Sequence, residues 1–278
     1  MATKETALIP FSKIERIQNY INTDLRRSMA DIMLETGADY GINGILFNRK
    51  TGEVVCHLKA DGKVVYAPDY NTQGYAWDGP DSFRMDLLPN VPLSGDVGRS
   101  NYLACDQLIP TLNPYIGADR KGKRGRSAIG IKGDGIYLYC SKDGSCAARK
   151  PEQLRNDLIA AGLDSAIMLD GGGSSQCDFL GRKIKSSREV GHVVLIYLKN
   201  CPYQEPTKTV KRGSCGEGAR WTQWMLKKWR PGLAVDGIFG KDSTAALLEF
   251  QKAVFPNEKD WDGKCGPKTR KELKKMGG

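Results

Sequence analysis

Between Tyr40 and Leu198 the chain is a succession of short apolar, β-branched runs closed by tight-turn residues, a pattern that restricts it to a strand-rich fold. "YGINGILFN", "GEVVCHL" and "GKVVYA" are separated by "RKTG" and "KADG", which read as hairpin turns. "RSAIGIKGDGIYLYC" reads as two strands around a Gly-Asp-Gly turn, "SAIML" as a buried strand and "HVVLIYL" as the last strand. Two helices interrupt them. "TDLRRSMADIMLETG" runs from a Thr/Asp start to Gly37 with Met29, Ile32 and Met33 on one face, and "KPEQLRNDLIAAGLD" carries Pro151 in its first turn. Residues 67–125, rich in Pro, Gly, Asp and Asn, are expected to form long loops around a site. Strands outnumber helices and tight turns join most of them. The expectation is an α+β domain with a mixed, largely antiparallel sheet.

Directly after the "SAIM" run comes "LDGGGSSQ", residues 169–176. A Gly/Ser linker is the plain alternative, but linkers rarely follow a buried strand and return to another strand within twenty residues. As a shaped loop it places the Asp170 carboxylate at a strand end. Behind Asp170, Gly171, Gly172 and Gly173 allow close approach, while Ser174 and Ser175 add hydroxyls to backbone N–H groups that can face an anion. Other chemistries lack their residues. There is no H-E-x-x-H, G-x-S-x-G or C-x-x-C, and only His57 and His192 are present. Cys56 and His57 are neighbours on an expected strand and so point to opposite faces. The eight cysteines are expected as free thiols.

The composition changes at "NCPYQEPTKTVKRGSCGEG", residues 200–218, which reads as a linker and turn. The expected domains are 1–200 and 208–278, joined by 201–207. From Thr207 onward there are 16 Lys/Arg against 8 Asp/Glu, so this quarter carries most of the net charge of +10 and favours a polyanionic partner. It also contains an internal repeat. "DGIFGKDSTAALLEF" and "DGKCGPKTRKEL" each pair an Asp-Gly turn with a Gly four residues after the Asp and a Ser/Thr read as a helix cap. Leu247, Phe250 and Val254 form one stripe, and Trp221, Met225 and Trp229 another, both expected in a core. This module of three short helices resembles the type 1 peptidoglycan-binding domain over residues 208–276. It departs by one extra residue before the first repeat's helix and by Cys265 in place of an apolar residue. The resemblance implies wall binding, with Asp236, Gly237, Asp262, Gly263 and Trp224 as the residues involved.

Three further stretches, "GADYGINGILF" with Asn43 and Gly44, "RGRSAIG" with Arg126 and "SSREVGHVV" with Arg188, flank the Gly-rich loop in sequence. Together with "PEQLRNDLIAAG" and "IMLDGGGSSQ" they resemble, in order over residues 24–199, the phosphodiester glycosidase family. Ile45 and Leu46 depart from that family's Asn-Gly-Gly-Phe-Phe. The resemblance implies cleavage between an anomeric carbon and a phosphate oxygen. Positive charge then develops on the sugar while a phosphate monoester leaves. It implies Asp170 as the carboxylate beside the ring, Arg126 and Arg188 as phosphate clamps, and Asn43, Gly44, Gly171, Gly172, Gly173, Ser174 and Ser175 as substrate-binding residues. The joined halves point to a hydrolase acting on sugar-1-phosphodiesters of bacterial wall polymers. Its expected partners are peptidoglycan and anionic wall polymer, not nucleic acid. The alternatives are a glycosidase of the peptidoglycan backbone and a catalytically silent wall-binding protein. No cofactor is required by the sequence, and a divalent metal is left open. No apolar run reaches the ~18 residues of a membrane span. "MATKETALIPFSKIERIQNY" has no signal-peptide pattern, so the expected location is the cytoplasm until release, as for a phage-type lysin, with action at the wall.

Overall fold

The computed structural model describes residues 2–68, 72–88 and 99–277. The elements, in chain order, are β1 (Lys4–Pro10), β2 (Ile14–Ile21), α1 (Met29–Thr36), β3 (Tyr40–Asn43), β4 (Leu58–Ala60), β5 (Lys63–Tyr66), β6 (Thr72–Trp77), β7 (Arg84–Leu88), β8 (Asn101–Ala104) and β9 (Asp106–Ile109). They continue with β10 (Arg126–Lys132), β11 (Gly135–Ser141), α2 (Pro151–Ala160), β12 (Ser165–Met168), β13 (Cys177–Phe179), β14 (Arg182–Ile184), β15 (His192–Leu198), α3 (Glu217–Trp229), α4 (Lys241–Val254) and α5 (Pro267–Gly277). The chain divides into two compact units, Met1–Asp31 with Asp39–Tyr197, and Ile32–Ala38 with Leu198–Gly278.

The first unit holds three five-stranded sheets, ordered β1-β11-β10-β12-β9, β14-β13-β3-β15-β2 and β5-β4-β8-β6-β7. The single mixed sheet expected from sequence is thus replaced by three antiparallel ones. In the first sheet Ala128 pairs with Met168 and Ile129 with Ile167. Gly130 is required there, because a Cβ would lie 2.5 Å from the Ser165 carbonyl oxygen. Helix α2 buries Leu154 and Leu158 against Leu108, Ala128, Tyr139 and Met168, so the apolar face of this sheet is covered by one amphipathic stripe. The Tyr75 and Phe83 rings stack at 4.7 Å in the third sheet, and the Tyr75 hydroxyl meets Ser165 Oγ of β12 at 2.9 Å.

The turn signals were sound where local chemistry decides: Asp61 and Gly62 both take positive φ between β4 and β5, and Gly133 does so between β10 and β11. Four expectations change. The run "GEVVCHL" is a strand only at its last residue, Leu58, where β4 begins. Residues 67–125 are not loops alone but contain β6 to β9 among their described residues; 69–71 and 89–98 lie outside the described set. Helix α1 starts at Met29, not at Thr23 or Asp24, because Ser28 and Asp31 form its cap: the Asp31 N–H donates to Ser28 Oγ and the Ser28 N–H to Asp31 Oδ2. The run "YGINGILFN" is a strand only as far as Asn43, for a reason given below.

In the second unit the repeat is built around two buried glutamines. Gln223 Nε2 donates to Asp236 Oδ1, the Ile238 carbonyl and Ser243 Oγ, while its Oε1 accepts the Gly237 N–H. Gln251 Nε2 donates to Asp262 Oδ1, the Lys264 carbonyl and Thr269 Oγ1, and its Oε1 accepts the Gly263 N–H. Ser243 and Thr269 are therefore glutamine acceptors and not caps. Gly240 caps α4, and Gly240 and Gly266 each directly precede their helix, so no extra residue is present. Cys265 and Phe239 are both fully buried at matching positions. The expected ligand-facing residues are turned to structure. Asp236 and Asp262 brace their own turns through Ile238 N–H and Lys264 N–H, Gly237 and Gly263 hold positive φ, and Trp224 is only 2% exposed. Trp221 and Met225 are core, as the stripe required, but Trp229 is 42% exposed and Val254 partly so.

Replacing Gln251 with Ala strands the Gly263 N–H and the Asp262 turn, a cost of about 3 kcal/mol. Because four of the five tryptophans lie in this unit, the tryptophan fluorescence midpoint in urea is expected to fall in Gln251→Ala and to fall less in Ser243→Ala.

Candidate functional site

The ladder of β12 does not stop at Met168. Leu169 N–H donates to the Ser127 carbonyl and Asp170 N–H to the Gly44 carbonyl, which carries the strand to the point where the Gly-rich loop begins. The Asp170 carboxylate is half-buried there. Burial raises its pKa, while hydrogen bonds from the Ser174 hydroxyl and the Gly171 N–H and the nearby charge of Arg188 favour the ionised form.

The loop is ordered by its own hydrogen bonds. Gly172 takes φ +60 and donates its N–H to the Gly125 carbonyl, and the Ser174 and Ser175 N–H groups close a 3-10 turn on Gly171 and Gly172. Among the described residues only the Gly173 N–H of this loop has no partner in the protein, so the open cradle of N–H groups expected from sequence is reduced to one. A Cβ on Gly173 would stand 2.9 Å from Arg188 Nη2, which places the guanidinium against that glycine. Arg188 Nη1 donates to Ser174 Oγ at 3.1 Å, and the Ser174 hydroxyl is near enough to Asp170 to favour its ionised form. Arg188 itself is held by its N–H on Ser186 Oγ and by Gln176 Nε2 on its carbonyl, while Ser186 Oγ donates to the Gly173 carbonyl. Asp170, Ser174, Arg188 and Gly173 thus lie together at the loop. Ser175 Oγ is buried beside them without a partner.

Three other expected site residues are close by but do not face a ligand. Asn43 is fully buried. Its Nδ2 donates to the Asp170 carbonyl, and its Oδ1 accepts from Ser127 Oγ and the Gln176 N–H. It positions Asp170 and has no group left for a sugar. Arg126 is 1% exposed, with Nε on the Arg149 carbonyl, Nη2 on the Arg120 and Gly122 carbonyls and Nη1 against Met168 Sδ. Its bidentate face is consumed by backbone, so it is not the clamp expected; burial also lowers its pKa. Nη1 does lie under the loop, 3.4 Å from where a Gly171 Cβ would be. Gly44 is needed for His192, not for substrate: a Cβ there would fall 1.9 Å from His192 Nδ1. This ring ends β3, because Ile45 N–H turns to donate to His192 Nδ1.

Sequence reasoning passed over His192, Asn19, Ser127, Asp106 and Arg120. His192 is fully buried, and burial lowers its pKa to about 3. Accepting at Nδ1, the neutral ring donates from Nε2 to Asn19 Oδ1 at 3.1 Å. Only its rarity marked it in the sequence. Asp106, in the stretch expected as loop, forms a buried ion pair with Arg120. Among the described residues no three His, Cys, Asp or Glu side chains gather as metal ligands would, and no helix is long and apolar enough to cross a membrane.

Two outcomes follow from the His192 packing. Gly44→Ala is expected to destabilise the first unit by about 3 kcal/mol, read as a lower unfolding midpoint. In the wild type the unfolded histidine takes up a proton near pH 6.5, whereas the folded one resists until about pH 3. Stability is therefore full at neutral pH and declines as pH falls through that window, and urea midpoints between pH 7 and 4 should show a shallower decline in His192→Gln.

The phosphodiester glycosidase family model matches residues 32–197. Among solved structures, the chain resembles the pro-peptide-inhibited catalytic domain of zebrafish N-acetylglucosamine-1-phosphodiester alpha-N-acetylglucosaminidase, with TM-score 0.56 and 14% identity over 71% of this chain and 84% of that one. A Burkholderia pseudomallei protein gives TM-score 0.55 and 13% identity over 70% and 73% of the respective chains. At such identities the likeness is one of fold. No curated protein matches the chain. The family match runs from α1 through β15 and contains the whole Asp170 group. This chain belongs to the phosphodiester glycosidase family of hydrolases.

Proposed function

We propose that the protein hydrolyses a sugar-1-phosphodiester of the N-acetylglucosamine type in bacterial wall polymers. The observation that carries this reading is the Asp170–Ser174–Arg188 group. In this reading Asp170 supplies the anion beside a sugar ring that gains positive charge, and Arg188 with the Gly173 N–H supplies the cation and donor for the phosphate that collects negative charge. Glycosyl transfer from phosphate demands little protonation of the leaving group, since a phosphate monoester leaves as a stable anion. That suits a site whose nearby histidine is held neutral and buried. Asp170 faces the anomeric carbon as nucleophile or as electrostatic partner of the oxocarbenium-like transition state. Arg188 binds the phosphate, and Asn43 and Arg126 hold the loop that carries Asp170.

In the same proposal residues 1–200 form the catalytic domain, 201–207 a linker and 208–278 a type 1 peptidoglycan-binding domain. The paired glutamine-braced Asp-Gly turns and the excess of Lys and Arg support that assignment. A wall-directed enzyme of this kind fits a phage-type lysin that stays in the cytoplasm until lysis.

Incubation of the purified protein with an N-acetylglucosamine-1-phosphodiester and with Gram-positive walls tests this reading. Free sugar together with phosphomonoester ends is expected; new reducing ends of the glycan backbone without them, or binding alone, would overturn it. Asp170→Asn should lower turnover by about 100- to 1000-fold. Since burial raises the Asp170 pKa, the acidic limb of the wild-type rate profile should lie above the ordinary carboxylate range, with activity rising as pH increases through it.

A further inference from the structure

We propose that Cys56 and Cys105 are a cross-strand dithiol that a small peroxide closes to a disulfide, stapling the crossover between the third and first sheets. The inference is independent of the substrate assigned above. Leu58 of β4 stands opposite Leu103 of β8, and Lys59 opposite Tyr102, in antiparallel register. The Ala104 N–H donates to the His57 carbonyl at 3.0 Å, which carries the ladder one pair past the end of β4. The next pair in that register is Cys56 and Cys105. Hydrogen-bonded and non-hydrogen-bonded pairs alternate along an antiparallel ladder, and His57 with Ala104 is of the first kind. Cys56 and Cys105 therefore form a non-hydrogen-bonded pair, the closer kind, with Cα atoms about 4.5 Å apart. That spacing is one a disulfide spans without backbone movement, and directly opposed residues send their Cβ atoms to the same face.

The surroundings agree with the register. Both residues are thiols with 7% of their surface exposed. The Cys105 thiol is pushed well up by its hydrogen bond with the Cys56 thiol and by burial, as expected of two sulfurs in contact away from water. Cys105 is the single residue between β8 of the third sheet and β9 of the first. Asp106, directly after it, pairs with Met168 of β12, the strand that leads to Asp170. Cys56 follows Val55, which is 41% exposed, so the pair lies one residue from the surface. Closure by hydrogen peroxide is balanced. One sulfur, as thiolate, attacks the O–O bond and becomes a sulfenic acid, and the hydroxide released takes up a proton to give water. The facing sulfur then attacks the sulfenic sulfur, forming the S–S bond and releasing a second water. The two sulfurs lose two electrons, and these reduce one peroxide to two waters.

The test uses the full chain, reduced and then treated with hydrogen peroxide, alkylated in denaturant and mapped by mass spectrometry. Peptides joined through Cys56 and Cys105 are expected, released by dithiothreitol and absent from Cys56→Ala. The exposed Cys146 and Cys215 report that the oxidant has reacted. If these two are oxidised while Cys56 and Cys105 are recovered as alkylated thiols, or joined to scrambled partners, the inference is overturned. The map is made on the wild type, so it stands even where an alanine variant fails to fold. Followed by circular dichroism, the oxidised wild type should melt roughly 10 °C above the reduced protein. Cys105→Ala should show no such shift on oxidation. A linked protein that melts no higher than the reduced one keeps the dithiol and removes the staple.

Discussion

The carboxamide of Asn43 is the contact on which the rest of the site depends. It joins the end of β3 to β10, through the Ser127 hydroxyl, and to both ends of the Gly-rich loop, through the Asp170 carbonyl and the Gln176 N–H. The bonds to Ser127 and Gln176 are buried, so they form where water cannot substitute, and losing one leaves an unpaired polar group at a cost of about 1–3 kcal/mol. The consequence is positional. Asp170 projects from a point held on both sides, by Asn43 and by the Gly44 carbonyl, before the chain enters its glycines.

Charge is layered around that point. Arg126, buried and bound to carbonyls, supplies rigidity below the loop, whereas Arg188 lies against Gly173 and donates to Ser174. The same residue type thus does two jobs, and the difference lies in what each guanidinium has already spent its hydrogen bonds on. A site whose cations are fixed before the ligand arrives gains its electrostatic advantage without reorganising during the reaction. The glycines serve close packing as much as ligand access: Gly44 clears His192, Gly171 clears the Gly125 carbonyl and Gly173 clears Arg188.

The C-terminal unit solves a different problem with little material. Each Asp-Gly turn is fastened to a helix by one glutamine that uses both ends of its carboxamide, so two irregular turns are held by two side chains. The residues that advertise the repeat in sequence are those that build it. Ile238 and Trp229 stay exposed on the surface.

Local chemistry was legible from the sequence alone. The Asp-Gly and Gly-Asp-Gly hairpins, the α2 helix after Pro151, the buried "SAIM" and "HVVLIYL" strands, the repeat and the placing of Asp170 at a strand end all depend on residues near one another in the chain. The division of the strands into three sheets, the presence of β6 to β9 in a Gly- and Asp-rich stretch and the start of α1 at Ser28 were not legible. Strands such as β6 and β8 are stabilised by partners far along the chain. The roles of the site residues were decided at the same level. Asn43, Arg126 and Gly44 look like ligand-binding residues when read as motifs, yet burial and hydrogen bonding turn them inward. Sequence determines which groups can donate, accept or carry charge; only tertiary packing decides which of them are already satisfied, because that depends on neighbours contributed by other strands.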